Sequence, residues 1–242
     1  LIKLTKNARF SYDAYRRFIQ LYGKIALGVE DKHFDDAMAA MKKKVGVSQD
    51  VDLKSEHLAE LADQFARIIE TNTGKPFPED PYKQLEIAIQ AVFRSWNGKR
   101  AIDYRRQFKI TKEQANGTAV SVCTMVFGNM GNDSGTGVGF TRNPGTGENL
   151  IYGEYLVNAQ GEDVVAGIRT PQQITLEGSQ RWAKLALVSE EERRAKFPSL
   201  EELMPDIYRQ LLEAETKLER HYADMQDVEF TIQEGNLWML QT

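Results

Sequence analysis

Residues that form covalent or metal-based cross-links are scarce in this chain. Its 242 residues include one cysteine, Cys123, and three widely spaced histidines, His33, His57 and His221. A single cysteine excludes an internal disulfide framework and every zinc site that needs several thiolates, and it is typical of a protein from a reducing compartment. So few histidines also argue against a His-rich metal site.

Long apolar segments are absent as well. No run approaches the ~20 apolar residues that span a bilayer, and the N-terminal residues lack the apolar stretch of a signal peptide. We therefore expect no membrane-spanning segment and no secretory leader, and we expect a cytoplasmic protein, or a plastid protein if the source is a plant. Because residue 1 is leucine rather than methionine, we expect a processed chain or an excised piece.

The composition is that of a globular protein whose two parts differ in charge. Apolar residues make up 41% and charged residues 27% of the chain, which is ordinary for a folded domain. Residues 1–110 carry 20 basic and 15 acidic side chains, whereas residues 111–242 carry 11 basic and 20 acidic ones. Twelve of the 18 glycines lie between Gly117 and Gly178. We expect a domain boundary near residue 110.

The first part has the apolar spacing of amphipathic helices. Apolar residues recur there at three- and four-residue steps, which place them on one face of a helix. Four such stripes predict a small helical bundle, with the stripes as its core. The stripes are Tyr15, Phe18, Ile19, Tyr22 and Ala26; Phe34, Ala37, Met38, Met41 and Val45; Leu58, Leu61, Ala62, Phe65 and Ile69; and Leu85, Ala88, Ile89, Val92 and Trp96. Asp80, Pro81 and Gly98 suit the N-cap, first position and C-terminal stop of the fourth helix.

The second part changes to the period of β-strands. Residues 118–127 alternate like a strand that is apolar on both faces, and shorter strands are expected around 138–141 and 150–157. Ser189 and Glu192 form a plausible capping box, and Pro205 opens a longer helix. The chain finishes on a hairpin, 227–232 and 237–241. The pattern predicts an α+β fold with an antiparallel sheet and packed helices, and it assigns no chemistry to residues 176–200.

Two carboxylates share one face of the final hairpin. Alternation sends Val228, Phe230 and Ile232 to one side and Asp227, Glu229 and Thr231 to the other. The two carboxylates then lie about 6.5–7 Å apart, and at a dielectric of ~20 they repel by roughly 2.5 kcal/mol. A cation between them relieves this repulsion, and oxygen ligands suit Mg²⁺. Spacing alone favours the alternative, a solvated polar face on an edge hairpin, because acidic pairs two residues apart are common in strands.

The glycine-rich segment 128–139 is a second candidate site. Glycines let backbone N–H groups approach phosphate oxygens, and Ser134 and Thr136 add hydroxyl donors. No Gly-Lys-Ser/Thr closes the segment, so it is not a Walker A loop, and the strand that follows argues against a dinucleotide fingerprint. A flexible hairpin connection remains the alternative.

Single residues give weaker signals. Cys123 lies in the expected apolar strand, which favours a buried, inert thiol, and His221 borders a helical stripe. A basic cluster near residue 100 lies in an acidic chain without a series of stacking aromatics, so we expect a solvated helix end and no nucleic-acid partner. The cluster is Lys99, Arg100, Arg105, Arg106 and Lys109.

Several segments resemble the pyruvate, phosphate dikinase family. They are Gly-Thr-Ala-Val at 117–120, Ser-Gly-Thr-Gly-Val-Gly-Phe-Thr-Arg-Asn-Pro at 134–144, the stretch 153–171 with Asn-Ala-Gln-Gly-Glu-Asp, and the tail 224–231 and 240–242. Tyr-Arg-Arg-Phe at 15–18 and Val-Phe-Arg-Ser-Trp at 92–96 extend the resemblance into the helical part. The related phosphoenolpyruvate synthases lack the long Asn-Ala-Gln-Gly-Glu-Asp block and rank second.

The resemblance implies a piece of an ATP-grasp nucleotide-binding region: a helical insert subdomain, 1–110, followed by the metal- and phosphate-binding half, 111–242. Such an enzyme uses ATP and phosphate to phosphorylate a histidine on a separate swivelling domain, which carries the phosphoryl group to pyruvate on a barrel domain. The products are phosphoenolpyruvate, AMP and pyrophosphate. The resemblance further implies that Mg²⁺ is required and that the parent enzyme is a homodimer.

Family roles transfer to particular residues of this chain. The residues expected to contact ATP are Met125 and Val126 at the adenine, Glu162 and Asp163 at the ribose, and Gly135, Thr136, Gly137 and Gln241 at the phosphates. Asp227 and Glu229 are the expected Mg²⁺ ligands, and Arg100 and Glu154 are expected to dock the histidine domain.

Other parts of the family pattern are missing. The early lysine of a Gly-Gly-Lys-Gly segment, the opposing arginine and the Thr-Ser-His-Ala segment do not occur here. No catalytic residue is therefore predicted in this chain, and none of its three histidines is expected to carry the phosphoryl group. We expect the chain alone to be inactive. A non-catalytic docking module, with solvated carboxylates, is the rival interpretation.

Overall fold

A computed structural model describes residues 1–165, 167 and 169–242. Ala166 and Ile168, which belong to the resembling stretch 153–171, lie outside the described residues. The chain divides into two compact units, Leu1–Cys123 and Thr124–Thr242, hereafter unit 1 and unit 2. No helix in the described residues combines the length and apolar character that crossing a bilayer requires.

Unit 1 is helical. Its helices, with a 3₁₀ turn at Asp50–Asp52, are α1 (Ile2–Thr5), α2 (Ala8–Ile25), α3 (Asp31–Val45), α4 (Ser55–Thr73), α5 (Pro81–Ser95) and α6 (Lys99–Gln107). The Asn7 side chain accepts a hydrogen bond from the Phe10 N–H at the start of α2. Gly46 and Gly74 end α3 and α4 at φ 74° and 70°, a left-handed conformation that glycine adopts without strain.

The core of unit 1 joins α2, α3 and α4. The second and third predicted stripes are confirmed, since Phe34, Met41, Leu58 and Phe65 are all buried. The rings of Phe34 and Phe65 meet edge to face with centroids 5.1 Å apart. The first stripe is buried only in part, because Tyr15 is exposed.

The fourth stripe needs correction. Asp80 caps α5 as predicted, accepting from the Tyr82 N–H at 2.9 Å, and Pro81 is its first residue. No residue of α5 is buried, however, so its stripe is not core. Gly98 does not stop this helix, which ends at Ser95, but is the N-cap of α6. Glycine suits either helix end, so the residue type alone could not decide.

Unit 2 combines helices with an antiparallel sheet, which confirms the α+β prediction. The strands are β1 (Gly135–Phe140), β2 (Tyr152–Val157), β3 (Gln172–Gln173), β4 (Asp227–Gln233) and β5 (Asn236–Gln241), in the order β3-β2-β1-β4-β5. The helices are α7 (Gly161–Val165), α8 (Leu176–Leu185), α9 (Glu190–Lys196), α10 (Leu200–Leu203) and α11 (Pro205–Tyr222). The hairpin β4–β5, the capped helix after Ser189 and the helix opened by Pro205 are all confirmed.

One face of the sheet carries the core of unit 2. Ile207 and Leu211 of α11 belong to one buried cluster with Tyr155, Phe230 and Ile232 of the sheet. The other face of the central strands carries Thr136, Glu154, Glu229 and Thr231 together with the apolar Val138 and Leu156, because successive residues of a strand point to opposite sides.

The predicted strand over residues 118–127 is wrong. These residues have no regular structure, and among the described residues none of the five strands pairs with them. Cys123 is exposed, so the expectation of a buried thiol is wrong too. Alternation shows what a strand would look like, but a strand forms only where a neighbour receives its hydrogen bonds.

The stretch 176–200, left without a role above, contributes a buried arginine that is the centre of an ion-pair cluster. Arg193 of α9 is fully buried and contacts Glu190 at 2.7 Å and Glu202 of α10 at 2.6 Å. It also donates to the Ser179 Oγ of α8 at 2.9 Å. The hydrogen bonds from Arg193 lower the pKa of Glu202 to about 2. The cluster therefore joins three short helices.

Candidate functional site

Strand register brings three polar residues into one row. Val138 of β1 pairs with Glu154 of β2 on one side and with Glu229 of β4 on the other, and Gln241 of β5 lies opposite Glu229. Directly opposed residues of antiparallel strands share a face. Glu154, Glu229 and Gln241 therefore lie on the face opposite to Phe230 and the helix-packed core, which we call the open face.

The carboxylates of β4 lie where the alternation predicted. Asp227 and Glu229 are exposed, whereas Val228, Phe230 and Ile232 are fully buried. Within the described residues neither carboxylate forms a side-chain hydrogen bond or ion pair. Two unengaged carboxylates about 6.5–7 Å apart along a strand can accept a cation or a donor-rich ligand.

Thr231 lies on the same side of β4 as the two carboxylates, as the alternation predicted, but it is buried. Its hydroxyl is 3.3 Å from that of Thr136. Thr136 also donates to the Phe230 carbonyl at 3.1 Å. On the open face, the β4 side chains are therefore exposed at Asp227 and Glu229 and buried at Thr231.

A β-bulge determines where Gln241 points. Glu229 pairs with Gln241 and Phe230 pairs with Met239, so Leu240 is one extra residue in β5. If the pairing continued regularly from Phe230 and Met239, Leu240 would lie opposite Glu229, and Gln241 would point towards the packed face. The bulge re-aims a side chain, as bulges commonly do, and sets the Gln241 amide beside Glu229.

Gly135, Thr136 and Gly137 were predicted in a loop, and their placement needs correction. They lie in β1, the central strand, whose backbone pairs with both β2 and β4. A Cβ on Gly137 would lie 2.5 Å from Phe230 Cζ and 2.6 Å from the Glu154 carbonyl oxygen. The glycine is therefore needed for close packing across the sheet, a long-range cause that the local sequence does not reveal.

The remaining glycine-rich loop is fixed to the hairpin turn. The Ser134 hydroxyl accepts from the Glu234 N–H at 3.0 Å, and the Asp133 carbonyl accepts from the Gly235 N–H at 2.9 Å. At the other end, a Cβ on Gly128 would lie 2.3 Å from the Ala159 carbonyl oxygen. These contacts hold the loop against its neighbours at both ends, so it is not a free connection.

The residues expected at the adenine and ribose lie in two different local environments. Met125 is 59% exposed and Val126 is half-buried, both outside regular structure. Glu162 and Asp163 lie in α7, where the Asp163 carboxylate accepts from the Gln160 N–H at 2.9 Å. That bond caps the helix start.

The two expected docking residues belong to different units. Arg100 is exposed in the first turn of α6 in unit 1. Glu154, in unit 2, accepts from the Gln173 side-chain amide at 3.1 Å. Their assignment to the histidine domain stays a prediction.

Sequence reasoning missed Glu215 of α11. This side chain is 1% exposed, and neither carboxylate oxygen has a hydrogen-bond partner in the described structure. Burial, with a smaller contribution from Glu219, raises the pKa of Glu215 to about 8. A signal was present, since Glu215 follows Leu211 by four residues and Ile207 by eight, which places it on the buried helix face.

No group of three or more histidine, cysteine, aspartate or glutamate side chains in the described residues is placed to hold a metal. A metal site here would therefore rest on the carboxylate pair of β4, the Gln241 amide oxygen and ligands from outside these residues.

Comparison with known proteins identifies the family. The family described as pyruvate phosphate dikinase, AMP/ATP-binding domain, matches residues 31–242. The chain belongs to this family. The resemblance found in the sequence is thereby confirmed, and the open face lies in a pyruvate phosphate dikinase AMP/ATP-binding domain.

Curated relatives cover the whole chain. The pyruvate, phosphate dikinase of Entamoeba histolytica is 55% identical over 242 residues, which are 100% of this chain and 25% of that protein. That of Clostridium symbiosum is 51% identical over 99% of the chain, again 25% of the relative. A chloroplastic relative from Flaveria pringlei is 48% identical over 97% of the chain and 22% of its own length. The chain thus spans about a quarter of these dikinases.

Proposed function

We propose that this chain is the ATP-binding part of a pyruvate, phosphate dikinase. The whole enzyme would use ATP and phosphate to phosphorylate a histidine on a separate domain and then pyruvate, giving phosphoenolpyruvate, AMP and pyrophosphate. The observation that carries the proposal is the open face of a member of the AMP/ATP-binding family, where Asp227, Glu229 and Gln241 stand together.

Asp227 and Glu229 would hold Mg²⁺. Carboxylate and amide oxygens are hard donors that fit this ion, and both carboxylates are exposed without side-chain partners in the described residues. Bound Mg²⁺ would neutralise charge on the phosphates of ATP. The Gln241 amide, beside Glu229, would orient a phosphate oxygen by donating a hydrogen bond.

The remaining nucleotide contacts follow the family resemblance. Met125 and Val126 would cover the adenine, and Glu162 and Asp163 would accept from the ribose hydroxyls. The Thr136 hydroxyl already donates a hydrogen bond to the Phe230 carbonyl, and the backbone of residues 135–137 pairs with β2 and β4. The segment would therefore lie beside the phosphates without donating hydrogen bonds to them.

The other domains of the dikinase would be the protein partners. Arg100 and Glu154 would dock the histidine domain, the phosphoryl group would pass on to pyruvate at the barrel domain, and the whole enzyme would be a homodimer in the cytoplasm or a plastid. No feature of the acidic open face suits nucleic acid.

Replacing Glu229 tests the metal assignment. In the full-length dikinase we expect Glu229→Ala to abolish phosphorylation of the histidine by ATP, because one ligand and its charge are removed. Glu234→Gln is the matched control, since Glu234 is an exposed carboxylate in the turn of the same hairpin. Normal phosphorylation in Glu229→Ala, measured with radiolabelled ATP, would overturn the assignment.

The chain alone should not turn over substrate and should bind ATP weakly, because its relatives are about four times longer. Calorimetry that gave micromolar ATP affinity for the isolated chain would contradict this expectation. In the full-length enzyme an ATP analogue should raise the unfolding temperature only when Mg²⁺ is present. A docking module without a nucleotide site would show no such rise.

A further inference from the structure

A cavity of about 860 Å³ lies on the packed side of unit 2, between α11 and the segment that joins β1 to β2. Its walls include the apolar side chains of Ile151, Leu212 and Met225, together with Glu215. Glu215 contacts the sheet at Gly139. Val138, the neighbour of Gly139, pairs with Glu229 and shares its face, so Gly139 is on the opposite face. The cavity is therefore separate from the open face.

Glu215 is an unusual group for a cavity wall. The residue contributes to the cavity wall, and its carboxylate is buried with no hydrogen-bond partner in the described residues. A Cβ on Gly139 would lie 2.8 Å from Glu215 Oε1, so glycine at this point of β1 leaves room for the carboxylate. The fold accommodates a polar group but supplies no donor, and an unsatisfied buried polar group is costly.

The charged groups around Glu215 do not neutralise it. Arg142, which lines the cavity, already forms an ion pair with Glu219 at 2.7 Å. Arg220 and Asp224 add one charge of each sign to the lining. The phenol of Tyr208 is neutral at physiological pH and its pKa is raised by burial. With Glu215 ionised, the site lacks one positive charge.

We propose that this cavity binds a small organic molecule with a primary ammonium group and an apolar body. The ammonium pairs with the ionised carboxylate of Glu215, which turns into the cavity by a change of rotamer. The apolar body packs against Ile151, Leu212 and Met225. An ammonium group has one positive charge and three N–H donors, so it supplies the charge and the hydrogen bonds that Glu215 lacks in the fold.

Proton release distinguishes this binding mode from simple apolar burial. With a pKa of about 8, Glu215 holds its proton at pH 7, so pairing with an ammonium group expels that proton into solution. The bond broken is the carboxyl O–H, and the buffer takes the proton. Binding heat then depends on the ionisation enthalpy of the buffer.

Calorimetry with n-butylammonium chloride and n-butanol tests the proposal on the 242-residue chain at pH 7. We expect butylammonium to bind with release of a proton, measured in two buffers of different ionisation enthalpy, and butanol to bind at least about tenfold more weakly. Potassium chloride at the same concentration controls for ionic strength. Equal affinity for butanol, absence of butylammonium binding, or binding without proton release would each overturn the proposal.

Two variants locate the site. Glu215→Gln should weaken butylammonium binding at least about tenfold, or about 1.4 kcal/mol, whereas Glu213→Gln should bind as the parent chain does. Glu213 lies on the same helix but pairs with Lys217 outside this cavity. Leu212→Trp, which narrows the cavity at its apolar wall and keeps Glu215, should also weaken binding. Unchanged affinity in Glu215→Gln or in Leu212→Trp would refute the location.

Discussion

A single buried carboxyl group sets part of the pH dependence of unit 2. Burial raises the pKa of Glu215 to about 8, whereas in the unfolded chain the group has its ordinary pKa near 4.5. The folded state therefore binds this proton more tightly. The stabilisation is complete below pH 4.5 and is lost as the pH rises through about 8.

We predict that Glu215→Gln removes this dependence. The variant should gain stability relative to the parent chain between pH 6 and pH 9, by at most roughly 5 kcal/mol, because the amide cannot ionise. Urea unfolding followed by tryptophan fluorescence at several pH values measures the difference, with Glu213→Gln as the control. Stability curves that run parallel for Glu215→Gln and the parent chain would contradict the prediction.

The β4–β5 hairpin shows how one extra residue changes the chemistry of an element. Leu240 is an extra, unpaired residue in β5, and because of it Gln241 lies on the same side of the sheet as Glu229. A polar residue at the end of a strand that is exposed almost throughout gives no pattern from which this register could be read. The bulge is thus a property of the paired strands.

Disulfide trapping tests the bulged register. Directly opposed residues have Cβ atoms about 4.5–5.5 Å apart, a separation that small adjustments bring into disulfide range. In a Cys123→Ser background we predict that Glu229→Cys with Gln241→Cys oxidises to a disulfide, detected by mass spectrometry. The pair Glu229→Cys with Leu240→Cys should stay reduced, and efficient oxidation of that pair would argue for an unbulged ladder.

At the scale of single elements, most helices and the final hairpin could be predicted from the sequence, whereas the pairing of strands could not. Helices α2 to α5 and the final hairpin follow from period, caps and turn residues that act locally. Residues 118–127 have an equally good strand pattern, yet no described strand pairs with them. The strand β1 was expected to begin later, because its glycines read as a loop. Their contacts are with distant segments, such as Leu156 for Gly135, Phe230 for Gly137 and Glu215 for Gly139.

The candidate site divides in the same way. The placement of Asp227 and Glu229 on one side of β4 followed from alternation, since Phe230 between them points to the other side. The side of the sheet on which Gln241 lies and the lack of a hydrogen-bond partner for Glu215 depend on contacts between distant segments. Neither could be predicted without the structure. The roles in nucleotide and metal binding remain predictions.

At the scale of the whole molecule, the described residues form two hydrophobic cores. The cluster around Phe34 and Phe65 consists of residues of unit 1, and the cluster around Tyr155 and Phe230 consists of residues of unit 2. Each unit therefore has buried apolar area of its own, the requirement for a stable compact structure. The architecture changes between the two units, from helices alone to a sheet with helices.

Removing one core ring should destabilise unit 1. Phe65 is fully buried, and we predict that Phe65→Ala lowers the free energy of unfolding by about 3–5 kcal/mol. Trp96 reports unit 1 in a background with Trp182→Phe and Trp238→Phe. Phe93→Ala, which removes a ring that is 51% exposed, should cost about 1 kcal/mol or less. Similar losses in the two variants would contradict a core centred on Phe65.

The cluster around Arg193 has a consequence for motion. Helices α8, α9 and α10 contain ten, seven and four residues, and isolated helices shorter than about 12–15 residues are marginal in water. Arg193 of α9 holds Ser179 of α8 and Glu202 of α10 at once. Opening α8 or α10 therefore removes a hydrogen-bond partner from a buried guanidinium, and opening α9 withdraws the guanidinium from both. Amide protons of all three helices should therefore exchange with deuterium through one shared opening event, as a single cooperative unit.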